Sequence, residues 1–213
     1  MLRTADDTRF WDRVARKYAN DRIQDMTGYE RTLEHTRQYL TRTDTVLEIG
    51  CGTGTTALHL ASSVARIAGT DVSREMIAIA REKAAAQDCH NTTFAVAKAE
   101  APPGPDAAYD AVLAFNLLHL IATRPAALAA VLRLLKPGGL FISKTPCLSE
   151  MNPLIRLAVP VMRSVGKAPY VSFFAATEIE AEIAAAGFAI VERQRHGSGR
   201  RDPRIFIVGR KAG

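Results

Sequence analysis

The sequence predicts an α/β fold, in which a mostly parallel sheet carries helices on both faces. Residues 45–49 are a short apolar run with β-branched residues, which is typical of a buried strand. Glycines follow at positions 50, 52 and 54, and residues 55–61 have the pattern of a helix start. Further apolar segments alternate with helical ones along the chain, as in parallel sheets whose strands are joined by helices.

Composition indicates a single globular domain. The chain has 213 residues, of which 47% are hydrophobic and 23% are charged, so it can form a full core. The first residues lack the pattern of a signal peptide, and no apolar run has transmembrane length. The three cysteines lie far apart, without metal-binding spacing. We therefore expect one domain over residues 1–213, located in the cytoplasm, with reduced thiols and no metal.

The net positive charge is concentrated near the C-terminus. The formal charge is +6, and residues 193–213 alone hold seven basic residues and one acidic residue. Such a segment can contact nucleic acid or anionic lipid, but a solvated face on the last strands is the more common case and is expected here. The basic residues are Arg193, Arg195, Arg200, Arg201, Arg204, Arg210 and Lys211.

The strand, glycine turn and helix at residues 45–61 predict a site for a nucleoside ligand, because glycine lets backbone N–H groups approach a ligand closely. The dinucleotide pattern G-x-G-x-x-G does not fit well. If the pattern starts at Gly50, its last glycine falls on Thr55, and if it starts at Gly52, Gly50 has no role. Glu48 would repel a pyrophosphate but suits the ammonium group of an amino-acid ligand. Asp71, which ends the next apolar run, can accept hydrogen bonds from both hydroxyls of a ribose.

Four segments, in this order, resemble those of class I S-adenosylmethionine-dependent methyltransferases of the small-molecule type. They are VLEIGCGTG at 46–54, GTDVS at 69–73, YDAVLAFN at 109–116 and LLKPGGL at 134–140. The resemblance covers roughly residues 11–211. It implies a Rossmann-like, mostly parallel sheet of seven strands in the order 3-2-1-4-5-7-6. It also implies S-adenosylmethionine as the methyl donor and S-adenosylhomocysteine as the product.

The resemblance also implies which residues bind the donor. Residues of the glycine turn would hold its methionine part together with an aromatic residue of the first helix, and residues after the second and fourth strands would border the rest. The expected donor-binding residues are Tyr18, Glu48, Gly50, Cys51, Gly52, Gly54, Asp71, Val72, Met76, Ala99, Glu100, Asn116 and Leu117.

The adenine contact departs from the family pattern. The family usually places an acidic residue directly after the third strand, where it accepts a bond from the adenine amino group. This chain has Lys98 there, and a lysine has no acceptor atom. Glu100 could accept that bond instead, and the backbone N–H of Ala99 could reach a ring nitrogen.

Periodicity and capping patterns predict the remaining elements. Ser73 is expected to cap the helix after the second strand, and Thr177 with Glu180 is expected to cap the last helix. His35, amid charged residues, is expected at the surface. Helices are expected at 8–20, 28–40, 55–64, 124–135 and 177–186, and strands at 92–97, 109–115, 140–143, 188–195 and 204–210. Residues 1–43 would form an N-terminal helical cap.

Residues 146–176 are too long for an ordinary connection and are predicted to form a substrate lid. Pro160 should kink or break the helix of this segment. Arg156, Arg163 and Lys167 share one helical face. The opposite apolar face is expected to point inward and exclude water, or else the segment rests on a membrane surface.

The donor already carries an activated methyl group, so the chain must align an acceptor with it and exclude water. His119, after the fourth strand, is the candidate general base, although a packing role is an equal alternative. Asn-Leu-Leu-His at 116–119 is unlike the N-P-P-Y-type motif of amino-nucleobase methyltransferases. A small, apolar acceptor is therefore expected. Action at a membrane surface or on nucleic acid is the alternative, and an NAD(P)-dependent oxidoreductase is a distant one.

Overall fold

The structure, a computed structural model, describes residues 2–199 and 202–213. These residues contain seven strands and seven α-helices. The helices are α1 Leu2–Asn20, α2 Met26–Gln38, α3 Thr55–Leu60, α4 Arg74–Ala86, α5 Arg124–Leu134, α6 Leu154–Ser164 and α7 Ala176–Ala185. The strands are β1 Thr45–Ile49, β2 Arg66–Asp71, β3 Thr92–Val96, β4 Tyr109–Phe115, β5 Leu135–Pro146, β6 Phe188–Gln194 and β7 Arg204–Lys211.

The seven strands form one sheet in the order β3-β2-β1-β4-β5-β7-β6, which confirms the order expected from the resemblance. The first five strands run parallel, and β7 is antiparallel to both β5 and β6. β1 lies in the middle, where Val46 pairs with Ile67 of β2 and with Ala111 of β4. The turn after β1 therefore lies where the strand order reverses, which is the usual ligand position in such sheets.

Helices cover both faces of the sheet, as predicted. On one face, α5 and α7 pack through Leu128 and Ile179 against a layer that includes Leu47 and Phe141. On the other face, α2, α3 and α4 pack against a layer that includes Val46 and Phe206. α1 lies outside this second face and contacts α4, where Ala15 meets Met76 and Ile79.

Several element boundaries differ from the predictions. α1 begins at Leu2 rather than at residue 8. β5 begins at Leu135, so the Lys-Pro-Gly-Gly sequence that was expected only to end α5 lies within the strand. A register shift between Tyr109 and Ala111 of β4 accommodates this early start. The predicted cap of the last helix is wrong by two residues, because Glu178 Oε2 accepts the backbone N–H of Ala175.

Segment 146–176 contains α6, which continues through Pro160 to Ser164, so Pro160 does not break the helix. The alternative, that Pro160 kinks it, stays a prediction. None of the eleven residues of α6, all of them described, is buried. Leu154, Leu157, Val161 and Val165 are 63–72% exposed, so the expected inward orientation of the apolar face is also wrong.

Two arginines of α6 contact aromatic rings of the protein. Arg156 lies over the ring of Phe173, and Arg163 lies over the ring of Tyr170. A guanidinium that stacks on an aromatic ring keeps its charge while its planar face is covered. Arg163 is half-buried, as are the apolar Ile155 and Val159, whereas Arg156 stays exposed. Most of the apolar side chains of α6 point outward.

The described basic residues of the C-terminal segment bond to their own chain. Arg193 pairs with Glu180, Arg195 with Glu150, and Arg204 with Asp25 and Asp202. Arg210 and Lys211 donate to backbone carbonyls of residues 138 and 135. These contacts favour the interpretation as an outer face. Arg200 and Arg201 lie outside the described residues. Among the described helices, none is both long and apolar enough to cross a bilayer.

Candidate donor and acceptor site

A cavity of about 870 Å³ opens at the carboxyl ends of the parallel strands. Its volume is near the upper end of the range of about 300–1,000 Å³ that is usual for small-molecule sites. Twelve of the thirteen predicted donor-binding residues line it. They are Tyr18, Glu48, Gly50, Cys51, Gly52, Asp71, Val72, Met76, Ala99, Glu100, Asn116 and Leu117.

The three glycines of the turn all have positive φ, but they serve different purposes. A Cβ at Gly50 would lie 2.5 Å from Leu117 Cδ1, and one at Gly54 would lie 2.8 Å from Phe94 Cζ. These two positions are therefore glycine because the side chains around them are close. A Cβ at Gly52 would meet only Tyr18 Cε1, at 3.9 Å, and would project into open space. Gly52 is thus the position where a side chain would fill the cavity instead of the core.

Glu48, at the end of β1, is a buried carboxylate on the wall of this cavity. It is 2% exposed, and its Oε2 receives no hydrogen bond from the described residues. Burial raises the pKa of Glu48 to about 8, an effect that the backbone N–H of Ala57 opposes and the charge of Asp71 increases. A carboxylate that is costly to ionise in the free protein would be ionised by a cation bound beside it.

Asp71, at the end of β2, holds the glycine turn in place. Its Oδ2 accepts the backbone N–H of Gly52 at 3.0 Å, and its Oδ1 accepts that of Ser73 at 2.9 Å. Burial raises the pKa of Asp71. Each carboxylate oxygen has a second acceptor site, so bonds to ribose hydroxyls remain compatible with these two. The side chain therefore links the conformation of the turn to the predicted ribose position.

The helix after β2 begins as predicted, because Ser73 Oγ accepts the backbone N–H of Met76 at 3.1 Å. Met76 is buried and lines the cavity. Tyr18 of α1 lies next to the turn, with its Cε1 3.9 Å from where a Cβ of Gly52 would be, and packs edge-on against Trp11. Glu100 lines the opposite wall, where its Oε1 accepts the Thr123 hydroxyl at 2.7 Å.

His119, the predicted general base, lies behind the cavity wall rather than on it. Leu117 and Leu120, on either side of His119 in the sequence, are among the described residues that line the cavity, and His119 is not. The His119 ring faces Thr145, with Nδ1 and Oγ1 3.2 Å apart. Burial lowers the pKa of His119 to about 4, so the ring is neutral at physiological pH. Gly54 likewise lies outside the lining. The roles of His119 and Gly54 stay predictions.

Sequence reasoning missed two lysines that line the cavity. Lys83 of α4 donates to the hydroxyls of Thr53 and Thr55 at 2.9 and 3.1 Å, next to the turn. Lys144 of β5 is 6% exposed and donates to Thr32 Oγ1 at 2.7 Å. Burial, with a contribution from Arg204, lowers the pKa of Lys144 to about 8. Lys144 could have been predicted from the sequence, because it is a charged residue near the end of an otherwise apolar strand.

The residues present fit the S-adenosylmethionine that the resemblance implies. The unpaired oxygen of Glu48 can receive an ammonium group, and Lys83 is a cation available for a carboxylate. Gly52 leaves space for a ligand to approach the backbone, and Asp71 can accept from a ribose. This set of charges matches an amino-acid end joined to a nucleoside, and it does not match a pyrophosphate.

Comparisons with known proteins agree with this geometry. Residues 46–139 match the methyltransferase domain family. A demethylmenaquinone methyltransferase of Symbiobacterium thermophilum is 29% identical over 155 residues, which cover 68% of this chain and 59% of the relative. The ubiquinone/menaquinone biosynthesis C-methyltransferase UbiE of Geobacter sulfurreducens is 40% identical over 100 residues, 44% of this chain and 38% of the relative. The matched parts thus span about 40–60% of the length of these relatives.

The fold also agrees with that of a solved structure. An S-adenosylmethionine-dependent methyltransferase of Methanosarcina mazei superimposes with a TM-score of 0.68 at 21% identity, over 84% of this chain and 97% of that one. A likeness at this level of identity establishes the fold.

Proposed function

We propose a donor, a reaction and an acceptor class for this chain, which belongs to the class I S-adenosylmethionine-dependent methyltransferases. The proposed reaction transfers the methyl group of S-adenosylmethionine to a nucleophilic oxygen or carbon of a small, aromatic hydroxyl compound of the quinol type. The bond from methyl to sulfur breaks, the bond to the acceptor forms, and the acceptor loses a proton. The observation that carries the proposal is the buried Glu48 carboxylate, whose Oε2 has no partner among the described residues, in the same cavity as the open position at Gly52.

The donor supplies an activated methyl group, so the chain's tasks are binding, orientation and exclusion of water. Glu48 pairs with the ammonium end of the donor, and the positively charged Lys83 receives its carboxylate. Asp71 accepts from the ribose while it holds Gly52 in place. Tyr18 covers the methionine part from the side of α1. These roles follow from the lining and from the charges of the side chains.

The α2 side of the cavity is the proposed acceptor site. Its wall combines apolar side chains with a buried cation, Lys144, and the guanidinium of Arg204. Such a wall suits an apolar ring whose hydroxyl oxygen becomes negative as it loses its proton. The relatives named for demethylmenaquinone and ubiquinone/menaquinone support this choice of acceptor class. Apolar residues of the lining on or next to α2 include Ile23, Met26 and Leu33, and Trp11, Phe115, Leu120 and Ile121 line other parts of the cavity.

Two residues compete for the role of proton acceptor. His119 was the sequence-based candidate, but its ring faces Thr145. Lys144 lines the cavity, and its pKa is lowered to about 8, so an appreciable fraction is neutral near physiological pH. We favour Lys144, which either takes the proton or stabilises the deprotonated acceptor as a cation.

A methyl-transfer screen tests the proposal. Purified protein is incubated with S-adenosylmethionine and quinols, catechols, amines or RNA, and the release of S-adenosylhomocysteine is measured. We expect turnover with an aromatic hydroxyl acceptor. Lys144→Met should then lower kcat by about 10²–10⁴-fold, and His119→Gln should have a smaller effect. Turnover with RNA or amines alone would contradict the acceptor class, and a larger effect of His119→Gln would restore the original assignment.

Action at a membrane surface is the second candidate function, and the exposed apolar face of α6 favours it. An interfacial helix with this pattern inserts its apolar side among lipid chains. Leu157→Ser with Val161→Ser should then reduce sedimentation with vesicles, whereas Val191→Ser, on β6, is the matched exposed control. Equal sedimentation of all three proteins would exclude a role of α6 in membrane binding.

A further inference from the structure

Two histidines and a glutamate meet outside the cavity. His35 lies on α2, Glu192 lies on β6, and His196 follows β6. One ligand-type atom from each residue lies within 4.8 Å of the other two. Each of the three residues also has a buried ligand-type atom without a hydrogen bond among the described residues, namely His35 Nδ1, Glu192 Oε1 and His196 Nε2. Three unsatisfied buried atoms at one point need a common physical explanation.

The hydrogen bonds of Thr32 determine which nitrogen of His196 is free. The Thr32 hydroxyl donates its hydrogen to the carbonyl of Gly28 at 2.7 Å, and its oxygen accepts from Lys144. His196 Nδ1 lies 3.2 Å from the same oxygen. Because the hydroxyl hydrogen is already used, Nδ1 must be the donor, and the proton of a neutral ring is therefore on Nδ1. His196 Nε2, on a side chain that is 3% exposed, then carries a free lone pair.

Glu192 is oriented in a similar way. One of its carboxylate oxygens accepts the hydroxyl of Tyr39, and the other lies 3.3 Å from His35 Nδ1. The rings of His35 and His196 stack with their centroids 4.7 Å apart, and Phe206 packs against both. Thr32 and Tyr39 thus orient ligand-type side chains from behind, as outer residues do at metal sites.

An ion pair alone does not explain the cluster. A protonated His35 could pair with Glu192, but His196 Nε2 would remain buried without a donor. A protonated His35 would also stack directly on a second imidazole. A divalent cation satisfies all three atoms at once. Two imidazoles and one carboxylate suit zinc and neighbouring first-row metals, whereas magnesium and calcium prefer oxygen ligands.

We propose that His35, Glu192 and His196 bind a zinc-type divalent metal ion that joins α2 to the antiparallel edge of the sheet. Zinc bonds of about 2.0–2.1 Å place tetrahedral ligand atoms about 3.3 Å apart, which matches the distance between His35 and Glu192. The largest separation, up to 4.8 Å, must shorten by roughly 1.5 Å on binding, which requires the stacked rings of His35 and His196 to rotate towards the ion. Water would complete the coordination.

The proposed site is structural and borders the acceptor side of the cavity. Thr32 lines the cavity and bonds both Lys144 and His196. An ion at His196 would therefore also fix the position of Thr32. The expectation of no metal rested on the cysteine spacing and on a donor whose methyl group is already activated, and His35 was separately expected at the surface. Both histidines are in fact packed against Phe206, and the ligands are far apart in sequence.

The test uses protein without a polyhistidine tag, treated with a chelator and then dialysed. Zinc chloride should bind at one equivalent in calorimetry and raise the Tm by about 5–10 °C when free zinc is about a hundred times Kd. Magnesium chloride should do neither. Absence of stoichiometric zinc binding to the folded protein would overturn the proposal.

Variants distinguish this cluster from adventitious binding. His35→Gln, at a partly exposed position, and His196→Gln should both abolish the zinc-dependent rise in Tm. His90→Gln is the matched control, because His90 and Asp88 form an exposed pair 3.0 Å apart. A zinc effect that survives in the first two variants, or is lost in the control, would contradict the proposal. If a variant does not fold, X-ray absorption of the zinc-loaded wild type decides, since a sulfur ligand would overturn the assignment.

Discussion

The glycine turn and segment 146–176 are built in opposite ways. The turn is fixed by Asp71 and by packing against Leu117 and Phe94. α6 is wholly unburied, and its segment reaches α1 through a few contacts, such as Arg13 to the carbonyl of Gly166 and the Tyr170 N–H to Asp7. The position of the donor site is therefore determined by the packed core of the fold. The position of α6 is not determined by core packing. Donor binding and acceptor handling should thus be separable by mutation.

Gly52→Val is expected to have the largest effect on the turn. Its side chain would enter the open space where the donor must approach, so S-adenosylhomocysteine binding should become undetectable. The positive φ costs roughly 1–2 kcal/mol or more for a non-glycine residue, which most domains survive. Calorimetry and thermal denaturation measure the two effects separately.

Gly54→Val is the matched comparison within the same turn. Its Cβ would lie 2.8 Å from Phe94 and 2.9 Å from Ala80, so overpacking adds about 1–3 kcal/mol to the backbone strain. We expect a lower Tm than for Gly52→Val. If Gly52→Val binds the product normally, or is the less stable of the two, the distinction between cavity and core glycines is wrong.

Deletion of α6 should have the next largest effect. It should lower turnover without affecting donor binding. Residues 152–167 are replaced by a Gly/Ser linker, which spares Cys147 and Phe174 because these are part of the core. S-adenosylhomocysteine affinity should stay within about threefold, because none of residues 152–167 lines the cavity. Turnover should fall by at least about a hundredfold if this segment closes over the acceptor and excludes water. Unchanged turnover would refute the lid proposal, and an unfolded chain would show that α6 supports the core.

Asp71→Ala should have a moderate effect. Loss of bonds to a charged group should weaken product binding by about 1.5–3 kcal/mol. Asp71→Asn keeps one acceptor oxygen for the turn and should lose less. Equal, undiminished affinity in both folded variants would place the ribose elsewhere and leave Asp71 only its bond to Gly52.

The sequence predicted what depends on local pattern. β1, the glycine turn and the Ser73 cap follow from neighbouring residues, and the strand order followed from the resemblance. The early start of β5 did not, because it depends on a register shift in β4. The cap at Ala175 was missed since any residue can donate a backbone N–H to Glu178.

Contacts between side chains that are far apart in the sequence could not be predicted from local sequence patterns. The periodicity of α6 indicated two faces, but not that Arg156 and Arg163 would lie over the rings of Phe173 and Tyr170. The position of Lys144 against Thr32, and the meeting of His35 with His196, depend on how α2 docks on the sheet. The donor-binding part of the lining was predictable because the motifs of the resemblance mark residues at the ends of β1, β2 and β4.

Glu48 provides the most direct test of the central claim, that its carboxylate receives the ammonium of the donor. Its pKa is raised to about 8, so most of it is protonated at pH 7 and must ionise on binding. Calorimetry with S-adenosylhomocysteine at pH 7, in buffers of different ionisation enthalpy, should show one site and release of close to one proton. Affinity should rise up to about tenfold per pH unit below pH 8, and Glu48→Gln should release none. NAD binding without any response to S-adenosylhomocysteine, or product binding without proton release, would contradict the account.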